Sequence, residues 1–446
     1  KAKGLKSMRK ITETTSQILD VEHVLECSGS DITVSGAIHK IRDMSGFAFV
    51  IIRTGRDLIQ GVYVPENCSF PISDLQEGSC VKVTGTVKPE PRTENGFELI
   101  IKEIRILSSP FELLPVTLSK KYVNISLDVN LSLRPVILRH PVQRSIFKIQ
   151  EGVVSGFRNY MLSQGFTEIH SPKIVKEGAE GGANIFKLDY FDQKAYLAQS
   201  PQFYKQMMTA VFDRVFEIAP VYRAEKHSTS RHLNEYIGLD FEMAYIDDMY
   251  DVMAMETGML KAVLSELEKN YGKELKLLNV ALPTIDTIPA LTFTEVKEIL
   301  KGMGKASRLY YDLEPEEEEV ICNYAKEELD SEFLFITHSP SAKRPCYALD
   351  DSEHPEFALI FDLLFRGLEI TTGGQRIHEY TMQVEKMKAR GLDPEDFKSY
   401  LMIHRYGMPP HGGLGIGLER LVMKLLNLSN VRQTSLFPRD LTRLEP

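Results

Sequence analysis

The sequence predicts an α+β protein in two parts: a small closed β-barrel, then a larger domain in which an antiparallel sheet is flanked by helices. Three observations predict it. Between residues 31 and 108 the chain alternates short strand-like runs with turn clusters. From Pro141 the apolar period becomes that of a helix. Beyond that helix, runs of strands dominate over a regular strand–helix alternation, which favours an antiparallel arrangement over a doubly wound sheet.

The barrel rests on five runs, DITVSGAIHKI, FAFVIIRT, LIQGVYV, SCVKVTGTV and FELIIKEIRIL, rich in β-branched and aromatic residues. RDMSG, TGRD, PENCS and KPEPRTENG separate them as turns. Five short strands in about 80 residues fit a barrel of the OB type, and the pattern alone also admits another small barrel or sandwich. Residues 1–30 read as a basic N-terminal extension, 31–108 as the barrel, 109–140 as a hinge and 141–446 as the second domain. The hinge carries Pro110, Pro115 and Pro135 with little periodicity. In the second domain, Ile146, Ile149, Val153, Phe157 and Met161 recur at helical spacing. GFTEIHSPKI follows as an alternating strand that ends at Pro172, and EPEEEEV (Glu314–Val320) reads as a solvated helix start.

Composition narrows the function classes. At roughly 100–200 residues per domain, 446 residues make two to four domains. With 43% hydrophobic and 26% charged residues, disorder is excluded as the dominant state. No apolar run approaches the ~18 residues of a membrane span. Lys and Arg total 53 against 62 Asp and Glu, a net charge of −9, so any nucleic-acid contact must be local and shaped. Cys27, Cys68, Cys80, Cys322 and Cys346 are widely spaced and form no CxxC pair, which reads as reduced, intracellular thiols. The start, KAKGLKSMRK, lacks the apolar core of a secretory signal, and a cytoplasmic location is expected.

Four segments concentrate reactive residue types. LAQSPQFYKQ (197–206) holds Gln199, Gln202 and Lys205; VYRAEKHSTSRHLNEY (221–236) holds Arg223, Glu225, His227, Arg231, His232 and Glu235. FDLLFRGLEITTGGQRIHEY (361–380) holds Asp362, Glu369, Thr372 and Arg376; GMPPHGGLGIGLERLVM (407–423) is a glycine-rich turn leading into a helix with Arg420. Taken singly, each reads as a solvated loop, and Asp362 and Glu369 read as ion-pair partners of Arg366. The chain contains no GxGxxG, P-loop, GxSxG or HExxH pattern, so dinucleotide, P-loop, acyl-hydrolase and metalloprotease readings lose their supports.

Together the segments resemble the class II aminoacyl-tRNA synthetases. YRAE…RHLNEY is similar to their motif 2 and GLGIGLERLVM to motif 3. The helix–strand unit ending in EIHSPKI is similar to motif 1, with Pro172 at its proline. A leading OB barrel marks the aspartyl, asparaginyl and lysyl subgroup. AQSPQFYKQ, EGGANIF, TGGQRIHEY, YGMPPHGG and LFPRDLTRL resemble the aspartyl-tRNA synthetases of archaeal and eukaryotic-cytosolic type, from about residue 30 to the C-terminus.

The resemblance implies a reaction and a set of roles. ATP and L-aspartate would form an aspartyl-adenylate, and tRNA-Asp would then take the aspartyl group. Arg223 would bridge the α-phosphate and the attacking carboxylate, as only a planar guanidinium can. Arg420 would lie on the γ-phosphate side, Glu225 would meet the adenine amino group, Tyr236 would stack on the base and His232 would contact phosphate. Asp362 and Glu369 would ligate Mg²⁺ with help from Thr372. Lys205 and Arg376 would hold the substrate side-chain carboxylate through bonds worth roughly 1.5–3 kcal/mol each. Asparagine would then leave buried positive charge uncompensated. The glycine-rich segment 176–185 would close over the amino acid, with Glu177, Glu180 or Gln202 at its ammonium group. His227 and His378 read as structural or loop residues.

In the barrel, the resemblance implies that Phe49 stacks on an anticodon base while Gln60 and Glu98 bond base edges; barrel core is the alternative for Phe49. The basic N-terminal segment would add phosphate contacts. Ala37 stands where many relatives carry Trp, and with Pro91–Arg92 it leaves open whether tRNA-Asn is charged as well. Motif 1 implies a C₂ homodimer. Two further readings are an asparaginyl enzyme, against which Lys205 argues, and a synthetase-like RNA-binding protein without activity, against which Arg223, Arg420 and Glu369 argue.

Overall fold

The computed structural model describes residues 24–176, 184–226 and 229–445, which fall into two compact units that divide between Asn124 and Ile125. In the first unit, strands β1 (Asp31–Met44), β2 (Phe47–Arg53), β3 (Leu58–Tyr63), β4 (Cys80–Pro89) and β5 (Phe97–Ser108) close into a barrel in the order β1-β2-β3-β5-β4. Only β3 and β5 pair in parallel. Along β2, Ala48, Val50 and Ile52 are buried while Phe47, Phe49 and Ile51 are half-exposed, the period of two that a one-sided strand requires. The long strand β1 pairs with β4 up to Ala37 and with β2 from Ala37 onward, and a register shift between Ile38 and Lys40 bends it.

The second unit opens with two short helices, α1 (Leu127–Ser132) and α2 (Arg134–Ile137). They occupy part of the segment read as a hinge. Ser126 caps α1 by accepting from Val129 N, and Pro135 sits in the first turn of α2, where its missing N–H costs nothing. Helix α3 (Pro141–Ser163) is the long amphipathic helix, and all five of its periodic apolar residues are buried. The strand expected up to Pro172 is shorter than its alternation suggests: β6 covers only Thr167–Glu168. A small sheet follows, β7 (Ile174–Val175), β8 (Lys187–Tyr190) and β9 (Gln193–Leu197), in the order β7-β9-β8.

Helix α4 (Gln202–Phe212) leads into β10 (Arg214–Tyr222) and β11 (Glu235–Ala244), then α5 (Met249–Asn270) and α6 (Gly272–Leu278). Next come β12 (Ala290–Thr292), α7 (Phe293–Gly302), α8 (Pro315–Glu328), β13 (Phe333–Pro340), β14 (Phe357–Phe365) and β15 (Glu369–Arg376). Helices α9 (Tyr380–Ala389) and α10 (Lys398–Tyr406), strand β16 (His411–Gly417) and helix α11 (Leu418–Leu425) complete the unit. Eight strands form one sheet in the order β12-β13-β14-β15-β16-β11-β10-β6. The run from β13 to β10 is antiparallel, but β12 and β6 join the edges in parallel, so the sheet is mixed rather than antiparallel throughout. Helical crossovers precede both parallel pairings, as such pairs demand.

Strand β11 shows how the sheet separates core from site. Leu239, Phe241 and Met243 join α3 and α5 in the main apolar core, whereas Asp240 and Glu242 are buried on the opposite face. The acidic run at the start of α8 differs from expectation. Glu317 is buried: it takes Lys297 at 2.8 Å and closes a capping box with Glu314, because the same turn leads into the buried residues Ile321, Cys322 and Ala325.

Candidate active site

Helix α4, β10, β11, β15, β16 and the loops at their ends enclose a cavity of about 280 Å³. Gln202, Lys205, Arg223, Glu225, His232, Tyr236, Glu369, Thr372, Arg376 and Arg420 all line it. They come from segments up to 218 residues apart (202 to 420). Glu177 and Glu180, His227 and the basic segment of residues 1–23 lie outside the described residues.

One end of the cavity is a buried charge cluster. Lys205 Nζ donates to Asp240 Oδ1 at 2.9 Å and to the Leu414 carbonyl at 2.7 Å, and Glu242 Oε2 stands 3.4 Å away. Arg376 Nε donates to Glu242 Oε1 at 2.9 Å and Nη2 to the Gly413 carbonyl at 2.8 Å. All four side chains are buried. The glycines of β16 make room: a Cβ on Gly413 would strike the Glu242 carboxylate, and one on Gly415 would press on Asp240. Burial pushes the Asp240 carboxyl above its usual range against the pull of Lys205. Burial acts the same way on Glu242, but Arg376 and Lys205 outweigh it and hold that carboxyl low. His411, also buried, is pushed down to about 4 and stays neutral near pH 7.

This cluster corrects one expectation. Lys205, Arg376, Asp240 and Glu242 sum to zero charge when ionised, so a neutral ligand side chain would not leave bare positive charge behind. What the cluster offers is directional: a guanidinium has five N–H donors, and only two bonds from Arg376 are spent on Glu242 and Gly413. Beside it, Gln202 Nε2 and Gln199 Oε1 are buried without a hydrogen-bond partner among the described residues, one donor and one acceptor on the cavity wall.

The other end is cationic. Arg223 follows β10, with its guanidinium 5.8 Å from the Tyr236 ring centroid and Nη1 3.9 Å from Glu225 Oε1. Its backbone is pinned to Asn234, whose side chain in turn donates to the carbonyls of Arg223 and Glu225. His232 Nε2 lies 3.7 Å from Glu225 Oε2 and Nδ1 is 2.6 Å from Thr229 Oγ1. Arg420, in the first turn of α11, donates to the backbone carbonyls of Arg231 and Glu369 at 3.3 and 3.2 Å.

Asp362 and Glu369 sit on the two strands of the β14–β15 hairpin, not on a helix. Asp362 is the cross-strand partner of Thr372, and Thr372 Oγ1 donates to Glu369 Oε1 at 3.0 Å. The ion pair with Arg366 does not form: Arg366 binds Glu332 at 2.6 Å, and Asp362 is held instead by Arg344 at 3.1 Å. Burial raises the Asp362 carboxyl to about 6 while Arg344 pulls it down and Glu369 adds repulsion. Asp362 Oδ1 has no hydrogen-bond partner among the described residues. Two adjacent carboxylates, one with an unsatisfied buried oxygen, suit a hard divalent cation that draws its other ligands from phosphate and water. No group of three or more His, Cys, Asp or Glu side chains forms a closed metal cage among the described residues.

In the barrel, Phe49 lies on the outer face, edge-to-face with Phe47 at 5.2 Å, so it is not barrel core. Gln60 stands on β3 opposite Ile51, and Glu98 is buried, taking Lys88 at 2.9 Å and Gln60 at 3.4 Å. His378 lies half-buried in the loop after β15. Sequence reasoning missed Asp240, Glu242 and Arg344. For the first two a signal existed, since acids at alternate positions of an apolar strand share one face and need cations there. Arg344 carried none.

The family models agree with this geometry. Residues 126–441 match the model for tRNA synthetases class II (D, K and N), and residues 32–107 match that for an OB-fold nucleic acid binding domain. The chain belongs to the class II tRNA synthetases. It is 42% identical to an aspartate–tRNA(Asp/Asn) ligase of Deinococcus radiodurans, covering 94% of this chain and 96% of that one. An aspartate–tRNA(Asp) ligase of Pyrococcus abyssi is 39% identical over 94% and 97% of the two chains. Among solved structures, the asparaginyl-tRNA synthetase of Pyrococcus horikoshii complexed with asparaginyl-adenylate superposes with a TM-score of 0.87 at 29% identity, covering 94% of this synthetase and 97% of that chain. No described helix is long and apolar enough to cross a membrane.

Proposed function

We propose that this synthetase activates L-aspartate with ATP and passes it to the 3′ end of tRNA-Asp, working in the cytoplasm. The observation that carries the reading is the buried Lys205–Arg376 pair on the cavity wall, with guanidinium donors beyond those spent on Glu242 and Gly413. An aspartate side chain supplies two acceptor oxygens for such donors, whereas an asparagine amide turns two of its own donors toward them. The names of the similar ligases from Deinococcus and Pyrococcus support the same substrate.

The substrate's α-carboxylate is the nucleophile, so the chain contributes position and charge rather than a nucleophile of its own. Arg223 spans the α-phosphate and that carboxylate. Glu225 and Tyr236 hold the adenine, His232 and Arg420 hold the phosphate tail, and Gln202 receives the ammonium group, with Glu177 as a further contact. A Mg²⁺ ion held by Asp362 and Glu369, with Thr372 beside them, would neutralise phosphate charge. Phe49, Gln60 and Glu98 receive the anticodon, and α3 with the open edge of β6 forms a homodimer. The test is pyrophosphate exchange into ATP with aspartate or asparagine, followed by charging of tRNA-Asp and tRNA-Asn transcripts. Asparagine-dependent exchange would replace the reading by an asparaginyl enzyme. tRNA binding without exchange would mean an inactive relative. Aspartylation of both transcripts would extend the function to tRNA-Asn.

A further inference from the structure

Helix α8 lies outside the three motif segments and does not line the cavity, yet one of its side chains reaches the cationic end. Glu318 Oε2 accepts from Arg231 Nη1 at 2.8 Å. The same carboxylate stands within electrostatic reach of Glu369 and Arg420. Arg231 Nη2 donates to the Gly367 carbonyl at 3.2 Å, and the Arg231 carbonyl accepts from Arg420 Nε. The hairpin turn at Gly367 packs on α8 so closely that a Cβ there would meet Glu319 Cα at 3.3 Å, and its φ of +78° favours glycine. Glu318 thus anchors Arg231 to α8, and Arg231 in turn bonds the turn before β15 at Gly367 and the Arg420 side chain on α11.

We propose that Glu318 is a positioning residue for the triphosphate end of the site, acting by holding Arg231 in place before nucleotide arrives. The inference rests on the reading of the cavity as an ATP-dependent adenylation site. Arg231 lines the cavity from an irregular loop, and a long side chain in such a place loses rotamer freedom when it binds an anion. The Glu318 and Gly367 contacts impose that loss in advance. They occupy two of the guanidinium's five N–H donors, leaving others for phosphate oxygens. An arginine tethered from behind by a carboxylate also keeps its planar fork oriented, which a lysine could not reproduce.

The experiment is steady-state pyrophosphate exchange with the full-length protein, varying ATP at saturating aspartate and then the reverse. Glu318→Ala is expected to raise the KM for ATP about three- to tenfold and to leave the KM for aspartate unchanged. Glu318→Gln keeps a neutral acceptor for Arg231 Nη1 and serves if the alanine variant does not fold; it is expected to shift the ATP KM in the same direction by less. Combined with Arg231→Ala, the Glu318→Ala change is expected to add nothing, because its effect runs through Arg231. Independent, multiplying effects in the double variant would overturn the proposal, as would an unchanged or lowered ATP KM, or an equal change in both KM values. Absence of aspartate-dependent exchange in the parent protein would instead overturn the adenylation reading, so the two failures are distinguishable.

Discussion

Arg376 offers a way to separate what the buried charge cluster does for the fold from what it does for the substrate. Both Arg376 and Glu242 are buried, and they meet at 2.9 Å. In Arg376→Met, Glu242 keeps only Lys205, at 3.4 Å, as a cationic partner. Breaking one side of a buried pair costs about 3–5 kcal/mol. In Arg376→Met/Glu242→Gln no charge is stranded, because Lys205 and Asp240 still balance, so stability is expected to return to near that of the parent. Activity is not expected to return with it. If Arg376 meets the substrate carboxylate as proposed, both variants lose that contact, a loss of roughly 1.5–3 kcal/mol for a single charged hydrogen bond. At about 1.4 kcal/mol per factor of ten, kcat/KM for aspartate is expected to fall about ten- to a hundredfold. Urea unfolding of the three proteins reads the first effect, and exchange with varied aspartate reads the second. A folded double variant with the parent's aspartate KM would remove Arg376 from substrate recognition.

Four other outcomes follow from the same structure. Asp362→Asn is expected to raise the Mg²⁺ concentration for half-maximal exchange about tenfold, read by titrating Mg²⁺ at fixed ATP; an unchanged requirement would leave Glu369 as the sole protein carboxylate at the metal. Phe49→Ala is expected to raise the KM for tRNA about tenfold through lost stacking while tRNA-independent exchange continues, and equal charging by parent and variant would return Phe49 to a structural role. Glu256, buried under Thr371, is pushed by burial up to about 8 from an ordinary 4.5. Between those values the folded chain holds a proton the unfolded chain has released, so stability from this group is full below pH 4.5 and falls as pH rises toward 8. Glu256→Gln is expected to flatten that slope and to be the more stable protein at pH 8.5, by on the order of a few kcal/mol, in parallel melts at pH 6 and 8.5; matching slopes would refute it. Sedimentation is expected to give twice the 50.6 kDa chain mass at micromolar concentration, and a stable monomer would rule out the α3 interface.

How much was legible in advance follows from the range of the interactions. The barrel strands and α3 were readable because each repeats a local period: two in β2, between three and four in α3, where every periodic residue is buried. Most cavity residues were readable because they lie within recognisable segments, and folding brings those segments onto one sheet face. The misreadings came where local pattern competes with tertiary context. The seven residues from Asp362 to Glu369 look like two helical turns but span a hairpin, in which Asp362 pairs with Thr372 and Glu369 with Leu364. The acid run at α8 looks solvated, yet its third position turns inward because Lys297 and Ser307 wait there. β6 is short because only two of its residues find a partner in β10.

The pocket chemistry was the least legible part, and the reason lies in β11. A lysine and an arginine placed for a carboxylate suggest a site whose selectivity is net charge. The sequence separates Lys205 from Asp240 by 35 residues and Glu242 from Arg376 by 134, so only the folded sheet shows that each cation already has its counter-ion. Selectivity must then come from geometry. A neutral cluster of four buried charges is tolerable without ligand, which a bare cation pair in this cavity would not be. It also holds the guanidinium in place before substrate arrives, at the cavity wall, with donors beyond those spent on Glu242 and Gly413. A carboxylate can accept from all of them; an amide must present one oxygen and turn two N–H groups toward donors that cannot accept. Discrimination of that kind rests on unpaired buried polar groups rather than on long-range charge, and it is therefore expected to persist at high salt, where a purely electrostatic preference would fade.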